Sequence, residues 1–138
     1  MGQKTVLIID DELLIRDLLY DFFSEKGWGV SIYNQGEKAL EILKNKKYDI
    51  ALIDLKSTET DSTDYVRKLK NLYPQMPIVV MTAFPSVETA VAALRLKLDD
   101  YIIKPFNINQ LYKTLDGLAE QAARQEKYTE SDKIHNIP

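Results

Sequence analysis

The stretch Val6-Leu7-Ile8-Ile9-Asp10-Asp11 decides the fold. Its four apolar residues, rich in β-branched side chains, read as a strand buried on both faces, the habit of a parallel sheet. The run stops abruptly at two carboxylates. Three more runs have the same character: Ile50-Ala51-Leu52-Ile53, Ile78-Val79-Val80-Met81 and Tyr101-Ile102-Ile103. Val30-Ser31-Ile32-Tyr33 alternates instead and suits an edge strand.

Helical periodicity fills the intervals. Leu14, Leu18 and Phe22, with Ile15 and Leu19 beside them, mark the apolar face of a first helix that Gly27 and Gly29 close off. Ala39, Leu40 and Leu43 mark a second. Val66, Leu69 and Tyr73 mark a third, stopped by Pro74. Val87, Ala90, Val91 and Leu94 mark a fourth, capped by Ser86. Ile108, Leu111, Leu115, Leu118 and Ala122 mark a fifth, where Asn107 and Gln110 have capping-box spacing. Five alternations of strand and helix predict an α/β protein, a doubly wound, five-stranded parallel sheet covered on both faces. The flavodoxin-like strand order would be 2-1-3-4-5. Residues 4–124 would form this domain, and the polar stretch 125–138 a frayed helix end and tail or linker.

Composition narrows the function. The chain has 138 residues, enough for one compact domain, and 45% of them are apolar, enough for a core without disulfides. With no cysteine, thiol catalysis and Cys-based zinc sites are excluded, and a cytoplasmic location is expected. The one histidine, His135, lies in the polar tail, which argues against a His-based triad or metal site. A net charge of -3 without any basic block predicts no direct nucleic-acid binding. The run at Val6 to Ile9 is too short to be a signal peptide or to span a membrane.

An open parallel sheet binds ligands beyond the carboxyl ends of its strands, where the strand order reverses. In a 2-1-3-4-5 sheet that crevice lies between strands 1 and 3. Asp10 and Asp11 follow strand 1, and Asp54 follows strand 3, so three carboxylates converge. Such a group takes up protons or a cation, and all-oxygen ligands suit Mg²⁺. Thr82 ends strand 4 and Lys104 follows strand 5. A hydroxyl and an ammonium at that rim would hold two oxygens of a transferred phosphoryl group, with a carboxylate as nucleophile. Each residue alone has a plainer reading: Asp after a strand caps the next helix, and a lone Lys is usually solvated. Their joint placement carries the argument.

Asp10-Asp11, Asp54-Leu55, Thr82-Ala83 and Lys104-Pro105-Phe106, each after its own strand, resemble the signature of response-regulator receiver domains. The likeness covers roughly residues 4–122. The stretch from Thr82 to Val91, with Asp100-Tyr101, is most similar to receivers of nitrogen-regulation-type activators, which usually precede an ATPase and a DNA-binding domain. The resemblance implies a phosphorylation-controlled switch of a two-component system rather than an enzyme, one that assists its own phosphorylation and dephosphorylation. Asp54 would accept the phosphoryl group from a sensor histidine kinase. Asp11 and Asp54 would bind Mg²⁺ directly, Asp10 through water, and the Lys56 backbone carbonyl would complete the protein ligands. Lys104 would contact the phosphoryl group, and Pro105 would follow a cis peptide bond. Thr82 and Tyr101 would be the moving switch pair, and Phe84 and Lys56 would tune water access. The surface of helix 4, strand 5 and helix 5 would address an output domain or protein; the long apolar stripe of helix 5 also suits an isologous homodimer through helices 4 and 5.

The sequence also departs from that family. The loop after Asp54 reads Lys56-Ser57-Thr58-Glu59-Thr60-Asp61-Ser62-Thr63-Asp64, with Thr58 and Ser62 where Pro and Gly are usual. Lys56 would set an ammonium beside the acidic pocket. Lys97-Leu98 stand where Gly-Ala usually follow helix 4, so that helix is expected to end differently. The altered loop and Lys56 support a second reading, a constitutive interaction module independent of phosphate. An Asp-based Mg²⁺ phosphatase is a third, opposed by the adjacency of Asp10 and Asp11 and by the lack of room for a cap domain.

Overall fold

A computed structural model describes residues 2–34, 40, 41, 43, 46–55 and 61–135. Five strands, β1 (Thr5–Ile9), β2 (Gly29–Tyr33), β3 (Ile50–Asp54), β4 (Ile78–Thr82) and β5 (Asp100–Ile103), form one parallel sheet in the order β2-β1-β3-β4-β5. The described helices are α1 (Leu13–Glu25), α2 (Asp61–Leu72), α3 (Val87–Arg95) and α4 (Ile108–His135). They correspond to the first, third, fourth and fifth helices expected from periodicity. Most of the expected second helix, Ala39 included, lies outside the described residues; Leu40 and Leu43 are helical and Leu43 is fully buried.

Strict alternation along the strands splits the core in two. Leu7, Ile9, Ala51, Ile53, Ile78 and Val80 face Leu43, Val66, Leu69 and Ala93, beneath α2 and α3. Val6, Ile8, Ile50, Leu52, Val79 and Met81 face Leu19, Phe23, Leu111, Leu115 and Ala119, beneath α1 and α4. Side chains of successive strand residues point to opposite faces, so a continuous apolar run fills both layers.

Two helical faces differ from their sequence reading. In α1 the buried residues are Leu19 and Phe23, while Leu14 and Leu18 are 83% and 49% exposed. In α3 the core takes Ala93, while Val87, Val91 and Leu94 point outward. In both helices apolar residues occur on more than one side, and only packing against the sheet selects the inner one.

Cap chemistry sets the helix ends. Ser86 and Thr89 form a reciprocal capping box at the start of α3. Asn107 Oδ1 accepts the Gln110 amide at the start of α4. Gly27 (φ 88) closes α1, with the Trp28 amide bonded to the Phe23 carbonyl and the Gly27 amide to Ser24. Lys97 closes α3 in the same way: its φ is 57, Leu98 donates to the Ala93 carbonyl, and Lys97 to Leu94. The expectation that α3 would end differently without glycine is therefore corrected: the left-handed closure is kept with a lysine in it. Helix α4 runs to His135, past the point where a tail was expected. No Pro or Gly interrupts residues 118–135, and that stretch is rich in Ala, Glu, Gln, Lys and Arg.

Candidate functional site: an acidic crest bridged by a lysine

The strand register builds the site. Ile9 pairs with Ile53, so the next residues, Asp10 and Asp54, lie side by side on neighbouring strands. Asp54 pairs with Met81 and Thr82 with Ile103, which brings Thr82 and Lys104 to the same edge. The Lys104 amide donates to the Thr82 carbonyl at 2.8 Å, fixing where the Lys104 side chain starts. The Lys104–Pro105 peptide is cis.

The Lys104 ammonium reaches back over the crest. Its Nζ lies 3.0 Å from Asp10 Oδ2, 3.1 Å from Glu12 Oε1 and 3.2 Å from Asp54 Oδ1. Asp10 is buried, and its Oδ1 accepts the Glu12 backbone amide at 2.9 Å. Burial raises the Asp54 pKa, and the neighbouring Asp10 charge adds to this; Lys104 opposes both, and the net result is a carboxyl pushed up to about 6. For Lys104, burial alone would lower the pKa. The hydrogen bond and charge of Asp10, with Asp54 and Glu12, outweigh it and raise the group above its ordinary value.

Oxygens of Asp10, Glu12 and Asp54 lie within 4.8 Å of one another. Glu12 is the member that sequence reasoning missed. The signal available was its position, two residues past Asp10 at the turn into α1, but an exposed Glu at a helix start has too many ordinary explanations to stand out. Asp11 is exposed at the rim, and its charge contributes to the raised Asp54 pKa. Asp10 and Asp54, with Asp11 at the rim, offer only oxygen and net negative charge, which fits a hard divalent cation such as Mg²⁺, while the Glu12 carboxylate is engaged by Lys104.

Thr82 is buried, and its Oγ1 accepts the Phe84 amide at 3.0 Å. Phe84 itself is 69% exposed beside the crest. Tyr101 is half-buried, and its hydroxyl is 2.6 Å from Thr89 Oγ1, which ties it to the first turn of α3. Lys56, expected both as a carbonyl ligand and as a tuning residue, lies outside the described residues.

A doubly wound parallel sheet with an acidic, lysine-bridged crest is a general α/β design for holding a cation and an oxyanion together. Comparison with known proteins makes this specific. Residues 6–116 match the family model of the response regulator receiver domain. The transcriptional regulatory protein ZraR of Klebsiella oxytoca is 33% identical over 130 residues, covering 94% of this chain and 29% of that protein. The response regulator receiver domain protein (CheY-like) from Methanospirillum hungatei matches with a TM-score of 0.84 at 27% identity, over 90% of this chain and 99% of that one. A response regulator from Burkholderia pseudomallei, solved with a phosphorylated aspartic acid, calcium ion and citrate, matches with a TM-score of 0.74 at 26% identity, over 90% and 73% of the two chains. This chain belongs to the response-regulator receiver family of two-component signalling. It spans under a third of the length of the ZraR relative. Among the described residues no helix is long and apolar enough to cross a membrane.

Proposed function

We propose that the protein is a phosphorylation-controlled switch in which Asp54 accepts a phosphoryl group from a sensor histidine kinase. The single observation that carries this is the convergence of Asp54, Asp10 and Lys104 within hydrogen-bond distance at the sheet crest, with Thr82 on the next strand. In the reaction an Asp54 oxygen attacks phosphorus, an acyl-phosphate P–O bond forms, and the P–N bond to the donor imidazole breaks. The departing imidazole keeps the electron pair of that bond. Lys104 and Thr82 present an N–H and an O–H to two phosphoryl oxygens. Mg²⁺, when bound, would be held by Asp54 and Asp11, by Asp10 through water and by the Lys56 backbone carbonyl, and would supply charge neutralisation. The phosphorylated aspartic acid and calcium ion of the Burkholderia relative support an aspartate phosphoacceptor and a divalent cation here.

Once Thr82 engages the phosphate it gives up the Phe84 amide, and space opens beside it. Tyr101 then turns inward and gives up its bond to Thr89, changing the face made by α3, β5 and α4. Val87, Leu94 and Ile103 leave apolar surface exposed on these elements, which suits an output partner or a second copy of the chain. Phe84 and Lys56 control access of water to the phosphate and tune its lifetime and self-hydrolysis. Residues 4–124 act as the receiver and 125–138 as its tail or linker. The working compartment on this reading is the cytoplasm.

The test is direct. Incubation with acetyl phosphate and Mg²⁺ adds one phosphate to the intact mass of the wild-type chain and none to Asp54→Asn. A wild-type mass that never changes, with folding intact, favours the constitutive interaction module instead.

A further inference from the structure

A lysine ammonium has three N–H donors. In this structure Lys104 donates to Asp10 at 3.0 Å and to Glu12 at 3.1 Å, and the Asp54 carboxylate is its ion-pair partner at 3.2 Å, so three carboxylates surround the ammonium. A phosphoryl oxygen on Asp54 would compete with these carboxylates for Lys104. The three are not equally exchangeable. The Asp10 side chain is fully buried, and its second oxygen already accepts the Glu12 amide. Stripping the ammonium from it would leave a buried charge without its counter-charge. Asp54 is the group being modified. The Glu12 side chain is 54% exposed, and water can solvate it after release. Glu12 is also the N-cap residue of α1, yet its side chain makes no capping bond. Its carboxylate is therefore free to serve Lys104.

We propose that Glu12 is a positioning residue whose carboxylate holds one Lys104 N–H over the pocket, in the place a phosphoryl oxygen takes when Asp54 is loaded. This rests on the reading of Asp54 as phosphoacceptor. Glu12 keeps the ammonium directed across the crest, and it competes with the incoming group for it. Removing the contact weakens that competition without removing Lys104.

Two variants of the full chain separate contact from mere charge. Glu12→Gln keeps length and loses charge; Glu12→Asp keeps charge and is too short to hold the same contact. Both leave α1 capped as before, since the side chain does not cap it. With saturating Mg²⁺, calorimetric titration of beryllofluoride should give a dissociation constant at least threefold lower for both variants. Phosphoramidate should show the same split, a lower KM with kcat within twofold. In Mg²⁺-free protein the NMR signals of the Lys104 Cε methylene should shift in both. A tighter Glu12→Gln with an unchanged Glu12→Asp would reduce Glu12 to a field effect and overturn the proposal. So would unchanged affinity and unchanged Lys104 signals in both, or a tenfold loss of Mg²⁺ affinity in Glu12→Gln, which would make Glu12 a metal ligand. Wild-type protein that takes up neither phosphate nor beryllofluoride overturns the phosphoacceptor reading along with this one; wild-type uptake with unchanged variants overturns this one alone.

Discussion

At the scale of single residues, Asp54 is held ionised at a cost in stability. Its folded pKa of about 6 lies above the ordinary value of 3.8, so the native state binds the proton more tightly than the unfolded chain. The penalty of holding Asp54 ionised is fully present above pH 6 and fades as pH falls toward 4. Without Mg²⁺, Asp54→Asn should therefore be more stable than wild type at pH 7.5 by up to about 3 kcal/mol, with the gain shrinking toward zero near pH 4. Urea unfolding of both proteins at the two pH values measures it, and equal stability at pH 7.5 would contradict the burial argument. Lys97 is a second residue under strain. An L-residue at φ 57 costs about 1–2 kcal/mol relative to ordinary helical geometry, and glycine escapes most of that. Lys97→Gly should gain about 0.5–1 kcal/mol in the same assay. Loss of stability would mean that the Lys97 side chain contributes more than its backbone costs.

At the scale of elements, the informative contrast is between helices that look alike in sequence. Leu115 in α4 and Leu94 in α3 both sit on apolar stripes at helical spacing. Leu115 is fully buried under the sheet, whereas Leu94 is 78% exposed. Leu115→Ala should cost about 2–5 kcal/mol, the cost of a core cavity. Leu94→Glu should change stability by no more than about 0.5 kcal/mol. Thermal or urea denaturation distinguishes them, and a large loss for Leu94→Glu would show that its face is packed. The central strands gave no such ambiguity, whereas β5, read as buried on both faces, is an edge strand with Ile103 exposed. Runs such as Val6 to Ile9 are apolar at every position, so there was no face to choose. The caps at Ser86 and Asn107 were also legible, because they depend on residues three positions apart in the chain. The α3 end was not. Sequence logic reserves a left-handed position for glycine, but Leu98 bonding to Ala93 and the fit of Leu98 against the core hold Lys97 there.

For the whole molecule, the doubly wound order sets neighbours that the chain itself keeps far apart. Asp10 and Lys104 are separated by 94 residues and meet at 3.0 Å. The same topology places the exposed Val87, Leu94 and Ile103 on adjoining elements away from the α1 face. If phosphate uptake reshapes that face for a second copy, beryllofluoride with Mg²⁺ should shift the solution mass from monomer toward dimer. Leu94→Glu should hold it at monomer. Light scattering of both proteins reads the outcome, and a wild-type monomer in both states removes the dimer from the account.

The sequence by itself determined the strands, the helix caps and most of the residues that follow the strands at the crest. Strand runs, caps and the placement of Asp10, Asp54, Thr82 and Lys104 after their strands are local patterns, and local patterns are printed in the chain. Only the tertiary structure decided which stripe of α1 and α3 faces inward, that Lys97 bends where a glycine would, and that Glu12 joins the lysine. Those outcomes come from groups distant in sequence competing for the same space and the same three protons, and no local pattern encodes the result of that competition.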